Sequence, residues 1–530
     1  MVDYDKDNVR GQVSPHFPGS AASDRSSDLD DNYDLYKKAG ATDITAEEAK
    51  KVLRKIDLRL VPLRFVIYLI QYLDKNGINY ASVYGLQKGT HLRGQQYSWL
   101  SSIYYFGYLI SQYPSGYLLQ RLPTGKVIGV TCVLWGVILL SMPDQTHVER
   151  RLATLTLPVA TPACHNFAGI AVNRFLLGVV EAAVNPGFML IMSMFYTSAE
   201  QPLRLESYYC TNGIATMFGG LIGYAVGHIT TGLPRWMYVF LIFGSCSLAA
   251  GIWALLMLPD QPATSRFLTE RERTVAVGRV AANLQGVKNH HFKKYQAIQT
   301  LYDQKTWILF IMAIGAQVPN SAITSFTSLI IKGFGVSTLG TQYLQIPGGA
   351  IQFAALLGGG IACSRWPNIR CATMIFANMV CIVGAAMLVA VPENQKWARL
   401  VGLWLCFFQG LGFSMSLTMV SSNVAGYTKK QLTAAILFTG YCVGNIIGPQ
   451  TFRASEAPHY HSAYIAMLVG YTVKLFMVVV LYFYMWSVNK KRDREVLAAG
   501  LTAEDQGREA IERGMHDMTE LDNKGFRYSL

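Results

Sequence analysis

The chain has 530 residues, of which 51% are hydrophobic and only 15% are charged, whereas an average soluble protein is about 25% charged. Long apolar runs cause this deficit, so the composition excludes a multi-domain soluble protein and predicts an all-α polytopic membrane protein. The formal net charge is +13, but the basic residues are scattered over short loops, which argues against nucleic-acid binding. The nine cysteines lack metal-ligand spacing, and no catalytic triad or phosphate loop is evident, so neither a metal site nor an enzyme is predicted.

The first 50 residues are acidic and rich in Asp and Ser, and they lack the pattern of a cleavable signal peptide. We therefore expect residues 1–50 to form a disordered cytoplasmic tail. Near its end, Thr45 and Glu48 have the spacing of a capping box, with Thr45 as the N-cap residue. This pattern predicts a short helix that reaches about Asp57.

Twelve apolar runs follow, and each is predicted to cross the membrane as a helix. They lie at 61–85, 97–119, 126–142, 166–195, 206–228, 236–258, 305–331, 341–362, 372–391, 398–424, 432–452 and 463–487. A polar break divides them into an N-terminal six-helix half (51–258), a central basic loop (259–304), a C-terminal six-helix half (305–487) and a C-terminal tail (488–530). Because Lys and Arg concentrate on one side of the spans, we expect both termini and the central loop to be cytoplasmic.

Two six-helix halves joined by a basic loop are typical of a secondary transporter. A weak internal repeat supports this interpretation, because segments 116–126 and 360–370 both carry a Gly followed by two cations at five-residue intervals. Residues 142–160 do not fit, since connections between antiparallel helices are usually short. This segment is either a retained intron translated in the gene model or a genuine extracellular loop.

Charged residues within the spans are the candidates for function, because a charge at membrane depth costs at least about 2.5–3.5 kcal/mol. Arg174 and Glu181 lie seven residues apart in the fourth span, so they share one helical face at about 10.5 Å along the axis. Gly178, between them, would let a neighbouring helix or a ligand approach. Asp74 and Lys75 are adjacent in the first span.

These four residues suggest two roles. Asp74 and Glu181 would take up a proton, and Lys75 and Arg174 would bind an anion. Two structural alternatives remain open: the pair at 74–75 reaches water at a helix end, or the charges form a salt-bridge network between the first and fourth spans.

The C-terminal half offers polar but mostly uncharged side chains within its spans. We expect a subset of them to contact the substrate, although buried amides also hold helices together; the candidates are Asn320, Gln409, Tyr441 and Asn445, with Gln317 and Thr324 nearby. Asn320 follows Pro319, where a broken helix would free backbone groups for a ligand. Lys474 has no assigned role and is expected to face lipid or to reach water.

At the predicted cytoplasmic ends of the spans, Glu200 and Arg204 are four residues apart and near the loop that contains Arg121. They could form a salt-bridge lock that opens and closes with the two halves. Equally, they could be an exposed pair that contributes less than about 1 kcal/mol.

Several motifs together are highly specific. They are LDKNGINYA (73–81), GYLLQRLPTGK (116–126), RFLLGVVEA (174–182), LPDQPATSRFLTERER (258–273), SSNVAGYTKK (421–430) and GYCVGNIIGPQTF (440–452). Over about residues 50–490 the chain resembles the fungal allantoate-permease branch of the anion:cation symporter family, within the major facilitator superfamily.

The resemblance implies a twelve-helix fold of two halves, alternating access, and proton-coupled uptake of a small carboxylate such as allantoate, nicotinate or pantothenate. It places Asp74 and Glu181 where the wider family has its protonating acids, and Arg174 where it has a substrate or coupling cation. Lys75 stands where the wider family often has arginine. The proton gradient would be the driving force, without a cofactor, and we expect a monomer in the fungal plasma membrane. The alternatives are an exporter of a secondary metabolite by proton antiport and a nutrient sensor with little transport.

Overall fold

A computed structural model describes residues 44–142, 167–197, 200–281, 293–366, 368–498 and 518–530. Within these ranges the chain is helical and contains no β-strand, so the all-α prediction is confirmed. The anomalous segment at 142–160, apart from Met142, lies outside the described residues, as does most of the predicted N-terminal tail.

The N-terminal half contains the first six spans. Its helices are α1 (Ala46–Lys75), α2 (Gly77–Ser82), α3 (Leu86–Gly89), α4 (Gln96–Arg121), α5 (Thr124–Leu140), α6 (Phe167–Glu181), α7 (Val184–Phe195), α8 (Gln201–Tyr209), α9 (Thr211–Gly227) and α10 (Arg235–Met257). The first span comprises α1 and α2, the fourth comprises α6 and α7, and the fifth comprises α8 and α9. The second, third and sixth spans are the single helices α4, α5 and α10.

The central segment and the C-terminal half follow. Their helices are α11 (Glu270–Ala281), α12 (Lys294–Tyr302), α13 (Gln304–Ser321), α14 (Thr327–Gly333), α15 (Thr338–Tyr343), α16 (Ile346–Arg365), α17 (Arg370–Ala390), α18 (Lys396–Leu405), α19 (Gln409–Asn423), α20 (Tyr427–Gln450) and α21 (His461–Ala498). The seventh span comprises α13 and α14, the eighth α15 and α16, and the tenth α18 and α19. The ninth, eleventh and twelfth spans are α17, α20 and α21.

Eight of these spans are long and apolar enough to cross a membrane by length and composition alone, counted over the described residues. The first, second, third and fifth spans are shorter or more polar. Within the N-terminal half the third span packs against the sixth and the second against the fourth, and in the C-terminal half the seventh packs against the eleventh and twelfth. The two halves meet along the second and eleventh spans and along the fifth and eighth.

The start of α1 confirms the predicted cap and corrects the predicted helix length. The backbone N–H of Glu48 donates a hydrogen bond to Thr45 Oγ1 at 3.3 Å. The helix does not end near Asp57, however, but runs unbroken to Lys75. Its buried apolar stripe, which includes Val52 and Ile56, continues directly into the first span, so burial extends the helix across the polar stretch. Residues 46–50 of the expected disordered tail are therefore helical.

The two halves are closed on the membrane face opposite the termini. Asn79 Nδ2 in α2 donates to Gln345 Oε1 at 2.9 Å, and Gln95 Nε2 donates to the Phe452 carbonyl at 2.8 Å. The rings of Phe326 and Phe452 stack with their centroids 3.9 Å apart. Hydrogen bonds between the halves are concentrated on this face, so we call it the closed face and the other the termini face.

The C-terminal segment 518–530 packs under the C-terminal half on the termini face. Glu520 Oε1 lies 2.6 Å from both Lys305 Nζ and Lys429 Nζ, and all three side chains are buried. Asp303 completes the cluster at 2.8 Å from Lys429. Burial alone would raise the pKa of Asp303, but the two lysines outweigh that effect and lower it. The predicted tail at 488–530 is therefore partly the end of α21 and partly this docked segment.

We predict that Glu520→Ala destabilises the protein, because it leaves two buried ammonium groups with one carboxylate. Breaking a buried ion pair costs about 3–5 kcal/mol, which should lower the melting temperature of the purified chain in detergent. Asp493→Ala is the matched control, since Asp493 is exposed and its pairing with Arg527 at 2.8 Å contributes under about 1 kcal/mol. Equal small shifts for the two variants would contradict a structural role for the cluster.

Candidate functional site

The first and fourth spans are both interrupted at a predicted site residue. In the first span α1 ends at Lys75, and α2 begins at Gly77. In the fourth span α6 ends at Glu181, and α7 begins at Val184. Pro186 explains the second interruption, because its ring would clash with the carbonyl of residue 182 in a continuous helix. Lys75 and Glu181 are thus the last residues of their helical segments.

The seventh and tenth spans repeat this arrangement in the C-terminal half. Asn320 lies one residue before the end of α13, where a π-helical turn at Ala322–Phe326 follows. Gln409 begins α19, directly after a 3₁₀ turn at Cys406–Phe408. Interrupted spans place polar side chains and unpaired backbone groups at the membrane midplane, where transporters bind their substrates. Pro319 lies inside α13, and the seventh span continues through the π-helical turn, so its hydrogen-bond pattern changes near Asn320 but the span is not broken at Pro319.

A central cavity, which comprises about 780 Å³ of space including its open side, lies between the halves at the level of these interruptions. Five of the predicted site residues line it: Lys75, Glu181, Asn320, Gln409 and Tyr441. The cavity therefore combines one cationic and one acidic side chain from the N-terminal half with uncharged polar side chains from the C-terminal half.

Lys75 is held by tyrosines. Its Nζ donates a hydrogen bond to Tyr441 Oη at 2.5 Å, which joins the two halves across the cavity. Nζ also lies 5.2 Å from the ring centroids of Tyr105 and Tyr441 and 5.9 Å from that of Tyr104. Such cation–π contacts stabilise an ammonium group that has lost part of its water.

Glu181 is 2% exposed. Its Oε1 accepts a hydrogen bond from Gln71 Nε2 at 3.1 Å, while Oε2 has no hydrogen-bond partner among the described residues. A buried carboxylate with an unsatisfied oxygen is costly in its charged form. The surroundings of Glu181 therefore suit a group that binds and releases a proton.

Amide side chains on the opposite wall form a continuous chain. Gln409 Nε2 donates to Asn320 Oδ1 at 2.7 Å, and Asn320 Nδ2 donates to Asn445 Oδ1 at 2.9 Å. Asn445 Nδ2 then donates to Gln317 Oε1 at 3.0 Å. Asn445 is fully buried behind this wall and does not line the cavity, so it orients Asn320 instead of meeting a ligand directly.

Asp74 and Arg174 lie outside the cavity. Asp74 accepts a hydrogen bond from Ser247 Oγ in the sixth span, and the Arg174 guanidinium lies 5.9 Å from the Phe240 ring centroid. The seven-residue spacing from Glu181 sets Arg174 two turns nearer the closed face, beyond the cavity wall. The structure therefore does not bring Arg174 to the predicted substrate site.

Gly178 serves helix packing. A Cβ there would lie 1.9 Å from the Tyr104 carbonyl oxygen, so only glycine allows the second span to approach the fourth this closely. The space beside Gly178 is therefore filled by a neighbouring helix and not by a ligand.

The predicted lock between Glu200 and Arg204 is not formed. Arg204 makes two hydrogen bonds to the Asp57 carboxylate, at 2.8 and 2.7 Å, and Glu200 pairs with Arg279 at 2.7 Å. Arg204, in α8, is therefore paired with α1, and Glu200, immediately before α8, is paired with α11. Neither pair joins the two halves. The four-residue spacing brings the two side chains onto one helical face, but each forms an ion pair with a residue of another helix instead.

Two further cations differ from expectation or stay untested. Arg121 lies 5.1 Å from the Tyr117 ring centroid and forms no ion pair with the residues that the structure describes, so its gating role stays a prediction. The expectation that Lys474 faces lipid is wrong, because its side chain is fully buried. Its Nζ lies against Gly412 in the tenth span.

Several cavity residues were not predicted. Tyr68, Gln71 and Tyr72 line the cavity and precede Lys75 by seven, four and three residues, which is the spacing of one helical face. That signal was present in the sequence. Asn185, Asn212 and Gln352 also line the cavity, but each is a single amide in an apolar span and carries no comparable pattern.

The sequence model of the Major Facilitator Superfamily matches residues 64–449. The chain belongs to the Major Facilitator Superfamily. It is 32% identical to the allantoate permease of Saccharomyces cerevisiae, over 95% of this chain and 90% of that protein. It is 35% identical to an uncharacterized transporter of Schizosaccharomyces pombe, over 91% of this chain and 88% of that protein.

A solved D-xylose–proton symporter has the same fold, with a TM-score of 0.59 at 11% identity over 80% of this chain and 97% of that chain. These findings confirm the predicted twelve-span superfamily fold and the resemblance to the allantoate-permease branch. As a member of the Major Facilitator Superfamily, the chain is a membrane transporter and not an enzyme.

We predict that Asn445→Ala destabilises this transporter, because it leaves the amide of Asn320 and the carbonyl of Gln317 without their partner. An unsatisfied buried polar group costs about 1–3 kcal/mol, which should appear as a lower melting temperature in detergent. The control is Asn212→Ala, since the Asn212 side chain lines the cavity and its Oδ1 has no hydrogen-bond partner among the described residues. If both variants melt like the wild type, the amide chain does not support the cavity wall.

Proposed function

We propose that this transporter imports a small organic anion together with a proton by alternating access. The observation that supports this proposal is that Lys75 and Glu181 line the same central cavity. An anion needs a cation at its binding site, and a coupled proton needs a group that titrates. The cavity supplies one of each.

Lys75 would bind the carboxylate of the substrate. An ammonium group has three N–H donors, and among the described residues Lys75 uses one of them, for Tyr441. The remaining N–H groups can donate hydrogen bonds to a carboxylate. They lack the planar, bidentate geometry that an arginine guanidinium would provide. Asn320 and Gln409 would contact the polar remainder of the substrate, with Asn445 orienting Asn320.

The net charge of the cavity would couple the proton to the anion. When empty, Lys75⁺ and Glu181⁻ cancel; when loaded with a monovalent anion and a proton on Glu181, Lys75⁺ and the substrate cancel. Either ligand alone leaves a net charge, which is expensive to enclose between helices away from water. The half-loaded states would therefore resist closure, and only the empty and fully loaded cavities would change their orientation.

This scheme favours Glu181 over Asp74 as the proton carrier, because Asp74 lies outside the cavity. The yeast allantoate permease among the relatives makes ureido carboxylates the first substrates to test. We further propose a monomer in the plasma membrane with both termini cytoplasmic. The closed face would then be extracellular.

The test is uptake of radiolabelled allantoate, nicotinate and pantothenate into cells that express the chain, at an external pH of about 5 and about 7.5. We expect stronger accumulation of one of these anions in acid, because Glu181 must be protonated for loading. Glu181→Gln should remove net accumulation, since its empty cavity keeps the uncompensated Lys75 charge. The control is Glu270→Gln, which changes an exposed acid at the start of α11.

Uptake that does not depend on pH, or that Glu181→Gln leaves intact, would contradict proton symport through Glu181. If no anion is taken up and cells instead retain less of a metabolite, the chain is an exporter that works by proton antiport. Binding of an anion without movement would identify a sensor.

A further inference from the structure

A second cavity lies near the termini face, within the N-terminal half. It comprises about 440 Å³ of space between the first, fourth and fifth spans, part of it open to the outside, and it shares no lining residue with the central cavity. Its walls are mostly apolar, with Leu60 and Phe65 from α1 and Phe188 and Ile191 from α7. The transport scheme above does not use it.

Arg64 points into this cavity with unsatisfied donors. Its side chain is 7% exposed, and Nε and Nη2 have no hydrogen-bond partner among the described residues. The guanidinium lies over the Tyr208 ring at 3.8 Å from the centroid, which stabilises the charge but leaves Nε and Nη2 without an acceptor. A buried cation in this condition is costly unless an anion pairs with it.

The other charged lining residue does not supply that anion. Arg204 also lines the cavity, but its guanidinium is neutralised by the two hydrogen bonds to Asp57. No described carboxylate lies within ion-pair distance of Arg64. The cavity therefore carries one net positive charge.

The mouth of the cavity lies at Ser207, on a side of the fifth span that turns away from the central cavity. Ser207 is its exposed lining residue, and Val61 and Phe65 are half-buried. Within α8, Ser207 precedes Tyr209, which lines the central cavity, by two residues. At about 100° per residue, the two side chains therefore leave nearly opposite sides of the helix. Arg64 is three residues inside the predicted start of the first span at residue 61, which is about 4.5 Å and corresponds to the lipid headgroup level.

We propose that this cavity binds the phosphate of an anionic phospholipid, with Arg64 as its ligand. A guanidinium matches the oxygens of a phosphodiester bidentately, and basic pockets between spans on the cytoplasmic side bind lipid headgroups. One net positive charge suits a lipid with one net negative charge. The apolar walls would hold the glycerol and the first part of an acyl chain, which free phosphate lacks.

The test uses the purified full chain in nanodiscs of phosphatidylcholine, with and without about one-fifth phosphatidylinositol. A ligand that binds the native state raises the melting temperature. We expect a rise of several degrees with phosphatidylinositol for the wild type, and no rise for Arg64→Gln. Arg59→Gln, which removes an exposed cation five residues earlier in α1, should keep the rise. Each variant is compared with itself, so a lower starting stability does not affect the result.

Ser207→Trp provides a second variant that leaves Arg64 in place. The bulky side chain should fill the mouth and remove the rise. A third arm adds inorganic phosphate to the phosphatidylcholine nanodiscs, where no rise is expected. An equal rise in Arg64→Gln and wild type, or none in the wild type, would overturn the proposal. A rise with inorganic phosphate alone would overturn the assignment to lipid and indicate a site for free phosphate.

Discussion

The net charge of one buried cavity is the constraint on which the rest of this structure depends. Lys75 and Glu181 line a space between two halves that must close around it, and enclosing an uncompensated charge there is costly. An ammonium and a carboxylate cancel when the cavity is empty. The closed cavity then stays neutral with a bound anion only if a proton binds as well. In the proposed scheme coupling follows from electroneutrality and needs no direct contact between substrate and proton.

Helix interruptions bring these groups to one level. The first, fourth, seventh and tenth spans each change from regular α-helix beside a cavity residue, so polar side chains from both halves meet at one level between the halves. The surrounding parts keep that geometry. The amide chain behind Asn320 fixes the uncharged wall, Gly178 lets the second and fourth spans approach closely, and the buried Glu520 cluster fastens the C-terminal segment to the C-terminal half.

The sequence was sufficient to predict the twelve spans, the two halves and five cavity residues, because hydropathy and charges at membrane depth carry that information. It could not separate Glu181 from Arg174. Periodicity assigns residues to a helical face but does not say where along that face a cavity ends. Arg174 and Glu181 share a face, but they are two turns apart, and only Glu181 reaches the cavity. Asp74 lies outside the cavity for a related reason, since a buried acid can accept a hydrogen bond from a serine on a neighbouring helix; its role in proton uptake stays a prediction. Glu200 and Arg204 had the right spacing, but Arg279 and Asp57, distant in sequence, were closer partners.

The most direct test of electroneutral coupling compares exchange with net uptake in proteoliposomes that contain the purified chain. Glu181→Gln has a neutral cavity when it is loaded with an anion and a charged cavity when it is empty. It should therefore exchange labelled for unlabelled anion across the membrane, yet show neither net uptake nor proton movement reported by a trapped pH-sensitive dye. The wild type should show all three. If Glu181→Gln still moves protons with the anion, or loses exchange together with net uptake while remaining folded, the charge balance between Lys75 and Glu181 does not couple transport.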